Sequence, residues 1–170
     1  MTKDQRIVAV GAASGIAAMI AGTALIYTLW PANPALGDLA GRLAYALRAA
    51  AFAVLPLLAG IVAVGNGRFL SEAIDPTLHK ESQAMEVNGR VADNTLQQFL
   101  IYLVGTLALS AGLTADEMRA IPAAAIVFVV ARIAFWIGYR IHPLYRAFGF
   151  AATMYLNFGI LAFAFWTMLR

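Results

Sequence analysis

The order of apolar and polar residues divides the chain into five long hydrophobic stretches: residues 7–30, 43–65, 90–113, 118–139 and 144–169. Each can supply the roughly 20 helical residues that cross a hydrocarbon core. The stretches are rich in Ala and Leu and lack the alternation of a membrane β-barrel, so five transmembrane helices are predicted. The links between them read "WPANPALGD", "GNGRF" and "GLTADE", and Pro143 sits in the fourth. Pro56 is expected to kink the second span. Only the segment 67–89 has room for a helix outside the membrane. Within it, Asp75-Pro76 reads as an N-cap followed by proline at the first helical position.

Composition sharpens this picture. Of the 170 residues, 62% are hydrophobic and only 12% charged, too few polar groups to keep a soluble domain of this size dissolved. The absence of cysteine removes disulfides, thiolate metal sites and a protein thiol nucleophile. His79 and His142 lie far apart, with no carboxylate at ligand spacing, so no metal site is expected. The net charge of +3 comes without a basic stripe interleaved with aromatics, and no nucleic-acid partner is expected.

Charge placement sets the expected orientation. With five spans, Lys3, Arg6, Arg68, Lys80, Arg90, Arg140 and Arg146 fall on the N-terminal side, against Arg42, Arg119 and Arg170 on the other. This bias predicts a multi-pass protein whose N-terminus and 67–89 loop lie in the cytoplasm. The first stretch follows Lys3 and Arg6 as a signal peptide would, but its 24 uncharged residues exceed a typical h-region, so a retained helix is expected. Gly11, Ser14, Gly15, Ala18 and Gly22 give it small residues at four-residue spacing, a ridge suited to close packing within one subunit.

Polar groups at membrane depth are costly and should face protein or a water-filled cavity. Arg90, Asn94, Gln97 and Gln98 fall at helical spacings that place them on one face of the third span, with Asp93 at its edge. Arg132, Phe135, Trp136 and Tyr139 share a face of the fourth. Arg132 and Gln97 lie at similar depths, so Arg132 is expected to pair with Gln97, Asp93 or both. Arg140, His142, Tyr145 and Arg146 gather around the last link. Interhelical hydrogen bonding alone, at about 0.6 kcal/mol per bond, suffices to explain Asn157, Thr106 and Arg48. It explains the third and fourth spans less well. One Asp against Arg90, Arg132, Arg140 and Arg146 leaves a surplus of positive charge at one end of the bundle. Such a cleft suits a carboxylate, a phosphate or a thiolate, and an anionic lipid headgroup equally.

The run from Arg90 through Asp93, Asn94, Gln97 and Gln98 to Phe99, followed by Arg132-x-x-Phe135-x-x-Gly138-Tyr139-x6-Arg146, resembles the MAPEG family, membrane-associated proteins in eicosanoid and glutathione metabolism. The resemblance covers about residues 43–169, leaving the first helix as an N-terminal extra. That helix and the wording "QQFLIYLVGTLALS" are similar to the family's mattrin-like branch. The resemblance implies an all-α membrane bundle: residues 1–42 as an extra transmembrane helix and linker, and 43–170 as a four-helix domain with its cytoplasmic loop at 67–89. It further implies a homotrimer binding glutathione between subunits at the cytoplasmic end. Arg68, Arg90, Asn94, Gln97, Arg132 and Tyr139 match the positions that would hold the tripeptide. Arg146 matches an arginine placed beside the sulfur, the candidate catalytic residue. A thiol with a pKa of about 8.5 becomes nucleophilic when a cation stabilises its thiolate.

The departures from the family pattern are chemical. Gln97 stands where the family has Glu and cannot pair ionically, and Phe135 lacks a hydroxyl found at that position in other members. Two expectations follow from the resemblance. One is a glutathione transferase or peroxidase acting on lipophilic electrophiles that enter from the bilayer. The other is a non-catalytic scaffold or accessory membrane subunit with a lipid-binding basic pocket. A transporter is not expected, because no span is broken at depth by a Gly/Pro pair.

Overall fold

The computed structural model describes residues 1–169 and is built from helices, with five segments long and apolar enough to cross a membrane. Arg170, counted above on the far side, lies outside the described residues. Helix α1 spans Lys3–Leu29, α4 spans Gln83–Gly112, α5 spans Ala120–Ile141 after a single turn at Glu117–Arg119, and α6 spans Ala147–Met168. The second crossing is two helices, α2 at Leu39–Ala53 and α3 at Leu55–Phe69. The break has the expected cause: Pro56 stands in the first turn of α3, has no N–H to continue the ladder, and stays buried at the bend.

Polar side chains cap the starts of α1, α2 and α4. The Thr2 hydroxyl accepts from the Gln5 N–H at 3.2 Å, while the Gln5 side chain accepts from the Thr2 N–H at 2.9 Å, a reciprocal cap for α1. Asp38 caps α2 by accepting from the Gly41 N–H at 2.9 Å, and Ser82 caps α4 through Met85.

The link between the second and third crossings is shorter than 67–89 suggests, because α3 runs on to Phe69 and α4 starts early at Gln83. No extended helix forms in it. Asp75 caps Thr77 and Pro76 opens the turn, but Pro76–Leu78 is one turn long and ends where His79 turns left-handed at φ 49°.

Packing is closest where side chains are smallest. A Cβ at Gly15 would meet the backbone of Phe148, so this position lets α1 lie directly on α6 of the same chain. A Cβ at Gly149 would strike the Phe135 nitrogen and the Ala131 oxygen, and one at Gly138 would sit 2.7 Å from the Tyr145 oxygen. Both glycines draw α5 and α6 together at the end that carries Arg146. The core is filled by Tyr102, Met118, Ile121 and Phe128, with the Tyr102 and Phe128 ring centres 4.7 Å apart. Leu58, Ile61, Leu100, Val104, Ile137 and Phe158 point outward, as a lipid-facing surface requires.

Candidate functional site

Three helices enclose a cavity of about 360 Å³ lined by Arg90 and Asn94 of α4, Phe135 and Tyr139 of α5, Arg146 and Phe150. Arg90 and Asn94 are one helical turn apart, so their side chains rise from the same face. Tyr139 lies in the last turn of α5 and Arg146 immediately precedes α6, and the tight link brings the Arg146 guanidinium over the Tyr139 ring, 4.8 Å from its centre. Arg90 donates to the Tyr139 hydroxyl at 3.5 Å, a long bond that ties the second guanidinium to the same tyrosine. Four of the residues named from sequence therefore meet in one place.

The chemistry of the lining is asymmetric. Two guanidiniums face the cavity and no carboxylate lines it. Outside it, Glu86 lies 3.9 Å from Arg90, but both side chains are more than half exposed and the pair contributes little. The Asn94 Oδ1 is buried and accepts no hydrogen bond among the described residues. A molecule entering here would meet two cationic side chains and no acid.

The expected partner of Arg132 is corrected. Arg132 is 1% exposed, and its Nε and Nη2 donate to the Thr95 Oγ1 at 3.2 and 2.9 Å, while Nη1 donates to the Thr153 Oγ1 at 3.2 Å. Asp93 and Gln97 are both exposed. The reason is angular: Val91, Thr95, Gln98 and Tyr102 form the buried stripe of α4, and Gln97 is rotated about 100° away from Gln98. Gln98 faces inward and meets Asn157 of α6, whose Nδ2 donates to its side-chain and backbone oxygens at 2.9 Å. Arg132 is thus not a wall of the cavity. Its guanidinium lies 4.0 Å over the ring of Phe135, which is a wall, so it braces the site from behind.

Arg68 also lies outside this cavity, at the end of α3, paired with Glu81 at 3.6 Å. Sequence reasoning missed three contributors. Thr95 and Thr153 read as ordinary helix residues, yet each back-bonds to a carbonyl one turn earlier and still accepts from Arg132. The three-and-four spacing of Val91, Thr95, Gln98 and Tyr102 was the available signal for Thr95. Phe150 follows from Arg146 by one helical turn.

With this arrangement in view, comparison with known proteins is decisive on family. The MAPEG family matches residues 43–166, most of the chain. The chain belongs to the MAPEG family. The match begins within α2, so α1 precedes the family region and packs on α6 and α5 from outside it. Among curated relatives, Transmembrane protein 79 of Mus musculus is 26% identical over 160 residues, covering 92% of this chain and 40% of that protein. The Bos taurus protein of the same name is 25% identical over 135 residues, covering 79% of this chain and 34% of its own length. These relatives are mattrins, the branch that the α4 wording resembles. The chain thus spans about two fifths of the mouse relative's length. No solved structure matches it.

Proposed function

We propose that this MAPEG protein binds glutathione in the cavity between α4, α5 and α6, with the binding end facing the cytoplasm. One observation carries the reading: Arg90 and Arg146 line one cavity with Asn94 and Tyr139 and with no carboxylate. The fit is chemical. The tripeptide has carboxylates for the guanidiniums and peptide N–H groups for Asn94. Glutathione supplies the thiol, and the cation at Arg146, stacked on Tyr139, lowers the cost of its thiolate. Phe135 and Phe150 give the same cavity an apolar wall against which a lipophilic electrophile can lie. On this reading the activity is transferase or peroxidase chemistry.

The family resemblance implies a homotrimer, and its neighbours would cover polar groups that one chain leaves outside the cavity, namely Asp93, Gln97 and Arg68. A second reading, a non-catalytic scaffold with a lipid headgroup in the pocket, draws on a different observation. No acid lines the cavity to receive the amino group of glutathione, and Gln97, which stands where the family has Glu, is neutral and lies outside it.

Thermal unfolding in detergent with glutathione separates the two. Ligand at ten times its Kd stabilises a site by about 1.4 kcal/mol, a measurable upward shift. Arg146→Ala should then abolish the thiolate absorbance of bound glutathione while keeping much of the affinity. No shift at millimolar glutathione, with a shift on adding phosphatidylglycerol, would favour the scaffold reading instead.

A further inference from the structure

One face of α4 is left uncovered, and its make-up suits neither lipid nor water along its whole length. Glu86, Arg90, Asp93, Gln97, Leu100 and Val104 follow one another in alternating steps of four and three. That repeat of 3.5 residues draws a single stripe along the helix, the seam on which two helices coil around each other. All six face outward. Glu86 and Arg90 have side chains more than half exposed, Asp93 and Gln97 are exposed, and Leu100 and Val104 are 59% and 56% exposed. The other sides of α4 are used within the chain: Val91, Thr95, Gln98 and Tyr102 are buried, and a Cβ at Gly60 of α3 would touch Ala92.

Depth sharpens the mismatch. Helix α4 has 30 residues, about 45 Å, against a hydrocarbon core of about 30 Å. Arg90 bonds to Tyr139 in the last turn of α5, which marks the end of the crossing. Gln97 lies two turns further in, about 10 Å, and its amide has no hydrogen-bond partner among the described residues. Lipid would suit Leu100 and Val104 but would leave that amide and the Asp93 carboxylate unsatisfied. The stripe needs a surface that is polar at those two levels and apolar beyond them.

A second copy of the chain offers that surface. Copies inserted the same way round carry parallel α4 helices, so equal residues stand at equal depth. Gln97 then meets Gln97, whose amide both donates and accepts, while Leu100 and Val104 meet their own kind. Arg90 stands between Glu86 and Asp93 on the stripe, so each guanidinium can reach an acid of the neighbouring helix about 4.5–6 Å along the axis. The seam is therefore complementary to itself.

We propose that α4 pairs with α4 of a second copy along this seam, with Gln97 as its polar layer inside the membrane. Nothing in the seam depends on glutathione.

The chain has no cysteine, so single substitutions can report the contact directly. Full-length Gln97→Cys, Leu100→Cys and Val104→Cys, oxidised in isolated membranes without glutathione, should each give a covalent dimer. Leu96→Cys, 54% exposed but on the α3 side of α4, and Phe158→Cys, 71% exposed on α6, should give about tenfold less, because a disulfide needs Cβ atoms about 4 Å apart. Adding Gln97→Leu to Val104→Cys should lower the yield about threefold, the worth of one interhelical hydrogen bond. Equal yields at all five positions, the mark of random collision, would overturn the proposal. So would the absence of a dimer at the seam positions, or a yield that Gln97→Leu leaves unchanged. Leu100→Cys and Val104→Cys decide alone if Gln97→Cys does not insert.

Discussion

Replacing Thr95 with valine removes one hydroxyl from the buried centre of the bundle and leaves its shape nearly unchanged. That oxygen accepts from Arg132 at 3.2 and 2.9 Å, and at 1% exposure the guanidinium cannot turn to water instead. Only the Thr153 hydroxyl, at 3.2 Å from Nη1, would remain to it. Hydrogen bonds to charged groups are worth about 1.5–3 kcal/mol each, and stripping one partner from a buried charge costs about 3–5 kcal/mol. Because both lost bonds share one acceptor they do not add fully, so the expected loss is about 2–4 kcal/mol. Neutral interhelical bonds in membranes average only about 0.6 kcal/mol, so the two cases separate cleanly. Reversible unfolding in mixed micelles with increasing SDS reads the loss. In an Arg132→Met background the same Thr95→Val change should cost far less, because both partners are then apolar. A loss below about 0.5 kcal/mol in the wild-type background, or an equal loss in both backgrounds, would refute this role for the hydroxyl.

The other expectations are simpler. Gly149→Ala should destabilise by about 1–3 kcal/mol, because its Cβ would overlap the Phe135 nitrogen and the Ala131 oxygen, whereas Gly159→Ala, with open space around it, should not; the same unfolding assay compares them. Asn157→Leu removes both bonds to Gln98 and should cost about 0.6–1.7 kcal/mol in that assay, a smaller loss than at Thr95. In the 70–82 link, the Thr77 hydroxyl and N–H hold the Asp75 carboxyl below its usual 3.8. Bonding to the charged form makes this cap fully effective above that value and lost as pH falls through the lowered one. Pepsin cleavage of the link should therefore rise at the acid end, and Asp75→Ala should flatten that dependence.

Much of this was legible in the sequence because lipid imposes long apolar runs, and the five crossings follow from run length alone. Helical spacing put Arg90 and Asn94 on one face and the last link held Arg146 close to Tyr139, but that the two pairs form one site was legible only through the family resemblance. Helix rotation was not. Five polar residues from Asp93 to Gln98 compete for the inward face of α4, and which of them wins depends on the partners offered by α5 and α6. Thr95 faces Arg132 and Gln98 faces Asn157, while Asp93 and Gln97 turn out. The length of the 67–89 link was misjudged for a related reason. Polar helical turns at the ends of α3 and α4 extend past the apolar stretches, and hydropathy is blind to them.

The most direct test of the glutathione reading is a density map of the protein prepared in millimolar glutathione. An elongated feature between α4, α5 and α6 that touches the guanidiniums of both Arg90 and Arg146, with its sulfur nearer Arg146, is expected. A cavity left empty at saturating ligand, or a tripeptide bound elsewhere with those two arginines turned to solvent, would contradict it.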